Sequence, residues 1–179
     1  MNILKLKIFI FIISQLFFIT TLTHAATKVP FDNIIVNKQP INYEEIIFED
    51  FSGNIVNLKN YKDSIYVLNF WATWCAPCKE EMPSLDILSQ INGIKVFPIN
   101  LEKKNQNKTK IFFDNLNIKN LDIFFDPNLV LVDLFKLRGV PTTIFFNSDA
   151  DEFARVLGYA DFSDIKFKKW LIAKMSKNN

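Results

Sequence analysis

The stretch Ile65-Tyr66-Val67-Leu68-Asn69-Phe70-Trp71-Ala72-Thr73-Trp74-Cys75-Ala76-Pro77-Cys78-Lys79-Glu80-Glu81-Met82-Pro83 constrains this chain more than any other. An apolar, β-branched and aromatic run passes within four residues to two cysteines flanking Ala-Pro. Charged residues and a new apolar period follow, which is the pattern of strand, turn and helix. The cysteines therefore belong on the first turn of a helix. There, unsatisfied backbone N–H groups and the helix dipole favour negative charge, so a thiol is biased towards thiolate, its reactive form. Pro77 has its φ pre-set for an early helical position, and a thiol three residues on can close a disulfide without rearranging the turn. The pair suits dithiol–disulfide exchange.

Phe70-Trp71-Ala72-Thr73-Trp74-Cys75-Ala76-Pro77-Cys78-Lys79-Glu80-Glu81-Met82-Pro83, followed some sixty residues later by Gly139-Val140-Pro141-Thr142-Thr143, resembles the exported TlpA/ResA-like branch of the thioredoxin superfamily. The resemblance covers roughly residues 40 to 175. It implies thiol-disulfide oxidoreductases of the bacterial cell envelope, often serving cytochrome maturation. Envelope protein thiols and disulfides, apocytochrome c among them, and a membrane electron donor are the partners it implies. It also implies the direction, reduction of specific proteins, which the motif itself does not give.

The first 25 residues stand apart. Lys5 and Lys7 precede an apolar run from Ile8 to Ile19, and Thr23-His24-Ala25 supplies small residues at both cleavage-determining positions of an export signal. No amphipathic period is present, which argues against a buried core helix. Ile8 to Thr27 also lacks charge for 20 residues, so the leader is either a cleaved signal, ending after Ala25, or a retained anchor through residues 8–27. Either way the expected location is the periplasm or the periplasmic face of the inner membrane. Of 21 basic residues, Lys5 and Lys7 lie in the leader, leaving 19 against 19 acidic. A neutral body with Arg138 and Arg155 as its only arginines excludes a nucleic-acid partner.

The expected fold is α/β: a thioredoxin-like central mixed sheet flanked by helices, with an N-terminal β-hairpin and one inserted α-β unit. Residues 26–42, with Pro30 and Pro40, are expected as an extended linker and 43–179 as the domain. Ile46–Phe48 and Ile55–Leu58 flank Ser52-Gly53-Asn54 as a hairpin. Ile65–Phe70 is a strand covered on both faces, the helix from Cys75 runs to Asn92, and Ile94–Ile99 is a parallel strand. Helices over Thr109–Leu116 and Leu129–Leu137 bracket a strand at Leu121–Phe125. A hairpin of Thr142–Phe146 with Glu152–Leu157 and a helix from Phe162 to Met175 complete the chain.

Cys75, at the helix cap, is expected as the exposed nucleophile, and Cys78, a turn further in, as the buried resolving thiol. An inert staple is the alternative, but so short a loop removes little unfolded-chain entropy. Metal binding competes for the same motif. Haem attachment needs His where Lys79 stands, and a zinc site needs ligands the chain lacks, its only histidine being His24. A two-thiolate copper(I) site beside Met82 remains as the rival, a copper-handling binding protein. No metal and no resident cofactor beyond the Cys75-Cys78 disulfide is otherwise expected.

Val140-Pro141 resembles the family's cis-proline, which frees the preceding backbone to pair with a substrate strand; a trans helix stop is the alternative. With it, Trp74, Ala76 and Pro77 form the expected substrate-contacting surface. Trp71 either walls the site or belongs to the core. Thioredoxin keeps an acid six residues before the first cysteine, where this chain has Asn69. Glu81, three residues after Cys78 on the same helical face, matches the glutamate of the ResA-like motif. It is either the proton acceptor for Cys78 or a solvated first-turn residue favoured by the dipole.

Overall fold

The computed structural model describes residues 29–61 and 65–175. The leader and its alternatives, signal or anchor, lie outside the described residues. Among those described, no helix is long and apolar enough to cross a membrane.

Eight strands form one mixed sheet: β1 (Ile34–Ile41), β2 (Ile47–Asp50), β3 (Ile55–Asn57), β4 (Ile65–Trp71), β5 (Ile94–Asn100), β6 (Phe124–Phe125), β7 (Thr142–Phe146) and β8 (Glu152–Leu157). The helices are α1 (Ala76–Leu88), α2 (Gln106–Asn115), α3 (Val130–Leu134) and α4 (Ile165–Met175). The strand order is β1-β8-β7-β4-β5-β6-β2-β3. β4, β5 and β6 run parallel, and every other pairing is antiparallel.

β4 is buried along its whole length, and its side chains alternate between two cores. Val67 and Trp71 face a cluster with Met82, Leu85 and Leu88 of α1 and Phe167, Trp170 and Leu171 of α4. Tyr66, Leu68 and Phe70 face a second cluster with Phe48, Phe97, Leu131 and Phe135. The period of two puts Asn69 on the same side as Val67 and Trp71, the side covered by α1. That alternation decides what Asn69 can reach.

The fold class and the order of elements follow the sequence expectation, including both hairpins and the parallel β4–β5 pair. The linker is a correction. Over Ile34–Ile41 the expected tether is an edge strand, with Ile34, Ile35 and Val36 opposite Val156, Arg155 and Ala154 of β8. Its partner comes from the other end of the chain, so no local signal separates such a strand from an extended tether. Several element ends also move. α1 stops at Leu88 and turns through Gly93 (φ +83) into β5, α2 begins at Gln106 behind an Asn105 cap, β6 shrinks to two residues, and α4 starts at Ile165. α3 spans five residues because Asp126 accepts from the N–H groups of Val130 and Leu131, and Lys136 (φ 53) ends the turn.

Candidate functional site

Cys75 is the N-cap of α1, with φ −80 and ψ 107, and its Sγ accepts from the Cys78 N–H at 3.2 Å. Pro77 occupies the opening turn, where no N–H is needed. Cys75 and Cys78 are joined in a disulfide, with Cα atoms 5.3 Å apart. The expected exposed nucleophile is a correction: Cys75 is 3% exposed and Cys78 0%. In the closed disulfide the sulfur of Cys75 is turned in, and Trp74 (71% exposed), Ala76 and Pro77 take the surface instead.

The strand-to-helix turn is held from the loop that follows β5. The Thr73 N–H donates to Glu102 Oε2 at 2.6 Å, and Lys108 Nζ bonds Glu102 Oε1 at 2.6 Å. Burial pushes the Glu102 carboxyl up, but hydrogen bonds from Lys108, Thr73 and Asn100 outweigh it and hold the group down at about 2. Glu102 did not emerge from the sequence. It sits 29 residues from Thr73 in a loop whose polarity reads as solvated surface.

Glu81 is 0% exposed, so the solvated reading is excluded. Its Oε1 accepts from Asn69 Nδ2 at 2.7 Å and its Oε2 from the Ala160 N–H at 3.3 Å. Burial pushes the Glu81 carboxyl up to about 8; those two donors offset the effect only in part. Asn69 also donates to Thr143 Oγ1 at 2.9 Å, and its Oδ1 has no hydrogen-bond partner among the described residues. An asparagine on the strand thus orients the helix acid.

The Val140-Pro141 bond is cis. Because Phe70 lies opposite Thr142, Pro141 sits beside the end of β4, where the chain departs towards Cys75. A groove of about 310 Å³ brings together Trp74, Val140, Ala72, Leu101, Leu137 and Glu102. Trp71 takes the core alternative, fully buried with its ring 4.5 Å from Phe112 and 5.6 Å from Phe113. Cys75, Cys78, Trp74, Ala76 and Pro77 therefore meet at one end of the sheet, with Glu81 beneath and Val140-Pro141 alongside. Among the described residues no cluster of three or more His, Cys, Asp or Glu is placed to hold a metal ion.

The family model described as the AhpC/TSA family matches residues 41–151. This chain belongs to that family. It is 27% identical over 117 residues to the thiol-disulfide oxidoreductase ResA of Halalkalibacterium halodurans, covering 64% of each chain. It is 31% identical over 112 residues to ResA of Oceanobacillus iheyensis, covering 59% of this chain and 55% of that one. The matches thus span 55% to 64% of these curated relatives' own length. Among solved structures, a DsbF homologue from Corynebacterium diphtheriae superimposes with TM-score 0.62 at 25% identity, over 84% of this chain and 96% of that one. A thioredoxin family thiol:disulfide interchange protein from Chlorobium tepidum gives 0.58 at 19% identity, over 74% and 97%, a likeness of fold. The thioredoxin-like fold and the likeness to the TlpA/ResA-like branch are as the motif implied.

Proposed function

We propose that the chain is an exported thiol-disulfide oxidoreductase that exchanges the Cys75-Cys78 disulfide with envelope proteins, as a reductant. The observation that carries the reading is the disulfide closing the N-cap of α1. A redox pair at that place has its thiolate stabilised by the helix terminus, and Trp74 offers a protein substrate apolar surface while Val140, before the cis-Pro141, offers it backbone to pair with. No resident cofactor is invoked, because the sulfur pair carries both electrons.

In the reducing direction, the Cys75 thiolate attacks one sulfur of a substrate disulfide, and the other sulfur leaves as a thiolate that takes a proton from water. Cys78 then gives its proton to Glu81 and attacks Cys75 Sγ, which releases the second substrate thiolate and closes the protein disulfide. Two electrons pass from the Cys75–Cys78 dithiol to the substrate. Glu81, held up at about 8, is matched to a thiol of ordinary pKa near 8.5, the condition for efficient proton transfer between them. A membrane electron donor regenerates the dithiol. Apocytochrome c is the substrate class implied by the resemblance of the Trp74-to-Pro83 motif to the TlpA/ResA-like branch.

The test is Cys78→Ser expressed in the native envelope. Without the resolving thiol, substrates should accumulate as reductant-sensitive adducts on Cys75. No adduct, together with tight copper(I) binding by the wild-type dithiol, would instead establish the copper-handling reading. Export is tested by N-terminal sequencing of the fractionated protein: a start at Ala26 establishes a cleaved signal, and a start at Met1 in the membrane an anchor.

A further inference from the structure

The segment from Leu157 to Phe162, which carries the chain from β8 towards α4, touches several parts of the site at once. The Gly158 N–H donates to Pro141 O at 2.9 Å. The Ala160 N–H donates to Glu81 Oε2 at 3.3 Å, and the Phe162 N–H to Ser84 Oγ at 3.0 Å. Gly158 has φ +84, a left-handed conformation open to glycine, so the chain can turn there between these bonds.

From outside, the same segment is fastened by the chain's N-terminal side. Asn33 Nδ2 donates to Leu157 O and to Tyr159 O, each at 3.0 Å, and Asn33 O accepts from the Leu157 N–H at 3.1 Å. A primary amide has two N–H donors, and here both go to carbonyls on either side of Gly158. Phe31 anchors the fastening: its ring stacks on Phe167 at 5.2 Å and meets Phe162 edge-on at 6.5 Å. A solvent-facing groove of about 480 Å³ lies where this N-terminal side meets Tyr159, Ala160 and Asp161. Ala160 therefore holds the buried Glu81 on one side and lines a groove on the other.

We propose that Asn33 is a positioning residue for Glu81, locking the Leu157–Tyr159 crossing so that Ala160 stays on the carboxylate and groove water stays off it. The proposal rests on the reading of Glu81 as proton acceptor. Releasing the lock has two opposed effects on that carboxylate. Loss of the Ala160 bond disfavours the anion, whereas entry of water favours it. Asn69 still bonds Oε1, and an admitted water can donate to Oε2 in place of the Ala160 N–H while also relieving the burial that raises this carboxyl, so the carboxyl becomes more acidic. The groups facing Glu81 are Asn69 from β4 and the Ala160 backbone from the crossing, with Cys78 and Ser84 on α1 itself. Asp32 and Asp161 are the acidic groups that line the groove beside Tyr159 and Ala160.

The experiment follows the Glu81 carboxyl by ¹³C NMR in the oxidised full chain from about pH 4 to 10, alongside the pH midpoint of mixed-disulfide resolution. The variants are Asn33→Ala, Asn33→Asp, which keeps the shape but has no amide donor, and Asn33→Ser, which keeps one donor should the others fail to fold. Asn37→Ala is the control, since it removes a different amide, on β1, one that bonds Glu152 O at 3.0 Å far from the crossing. Asn33→Ala should lower both midpoints by about one pH unit or more, Asn33→Asp by less because its added carboxylate opposes ionisation of Glu81, and Asn33→Ser by less because it keeps one donor, with Asn37→Ala unmoved. Midpoints in the Asn33 variants equal to wild type, or an equal fall in Asn37→Ala, overturn the proposal. A Glu81→Gln enzyme that keeps the kinetic limb would defeat the role given to Glu81, and the NMR titration would still decide the role of Asn33.

Discussion

Glu81→Gln should change how stability depends on pH, in a direction opposite to that of an ordinary paired acid. The Glu81 carboxyl stands at about 8 in the fold against an ordinary value of 4.5. Between those values the unfolded chain has lost the proton that the native protein keeps, so each rise in pH favours unfolding. The slope is about 1.4 kcal/mol per pH unit for one proton, which integrates to roughly 3 to 4 kcal/mol between pH 4.5 and 7.5. The loss begins near the unfolded value and levels off as the native carboxyl ionises near 8. The substituted amide would keep the shape and one acceptor oxygen while removing the proton equilibrium; its NH2 cannot accept from Asn69 or Ala160, a loss that offsets the variant's stability by an amount independent of pH. Urea unfolding of the oxidised protein at fixed pH should therefore show the variant gaining on wild type as pH rises. Taking the difference between the two proteins cancels Asp126, which burial also pushes up, and Glu102, which is held down. Parallel stability curves for wild type and Glu81→Gln from pH 4.5 to 8 would overturn the claim that burial governs this carboxyl.

The same substitution has a kinetic consequence. Glu81→Gln should slow decay of the mixed disulfide at neutral pH by about 10²-fold while leaving its formation by Cys75 little changed, as read by stopped-flow with a model disulfide. Decay at the wild-type rate would make Glu81 a structural acid only. Glu102→Gln should cost about 1 to 2 kcal/mol at pH 7, since a depressed carboxyl stabilises above its unfolded value. That cost should vanish as pH falls through about 2, which acid-titrated unfolding would register. Tyr43→Phe removes the hydroxyl that donates to the fully buried Glu152 at 2.7 Å, where Arg155 Nη2 also bonds at 2.7 Å. It should destabilise the fold by about 2 kcal/mol in urea without altering exchange rates.

Elements whose signals are local were legible from the residues alone. An apolar run interrupted only by Asn69 made β4 a doubly covered strand, and Cys75-Ala76-Pro77-Cys78 opened α1 because capping and a pre-set proline act within one turn. Asn147-Ser148-Asp149 turned β7 into β8 for the same reason. The disulfide was legible because both partners lie on that turn. Whatever depends on distant residues waited for the folded chain. Ile34–Ile41 is a strand only because β8 offers an edge, and Glu102 matters only because β5 delivers it to Thr73. Spacing placed Glu81 on the face of Cys78, but a helical period cannot say whether water reaches that face. Packing against β4 and the Ala160 crossing settled it, leaving Asn69 and one backbone N–H as the carboxylate's donors. Local residue order sets which chemical groups are available within a turn or a strand; the surrounding chain sets their solvation, and solvation sets the acidity on which the proposed proton transfer depends.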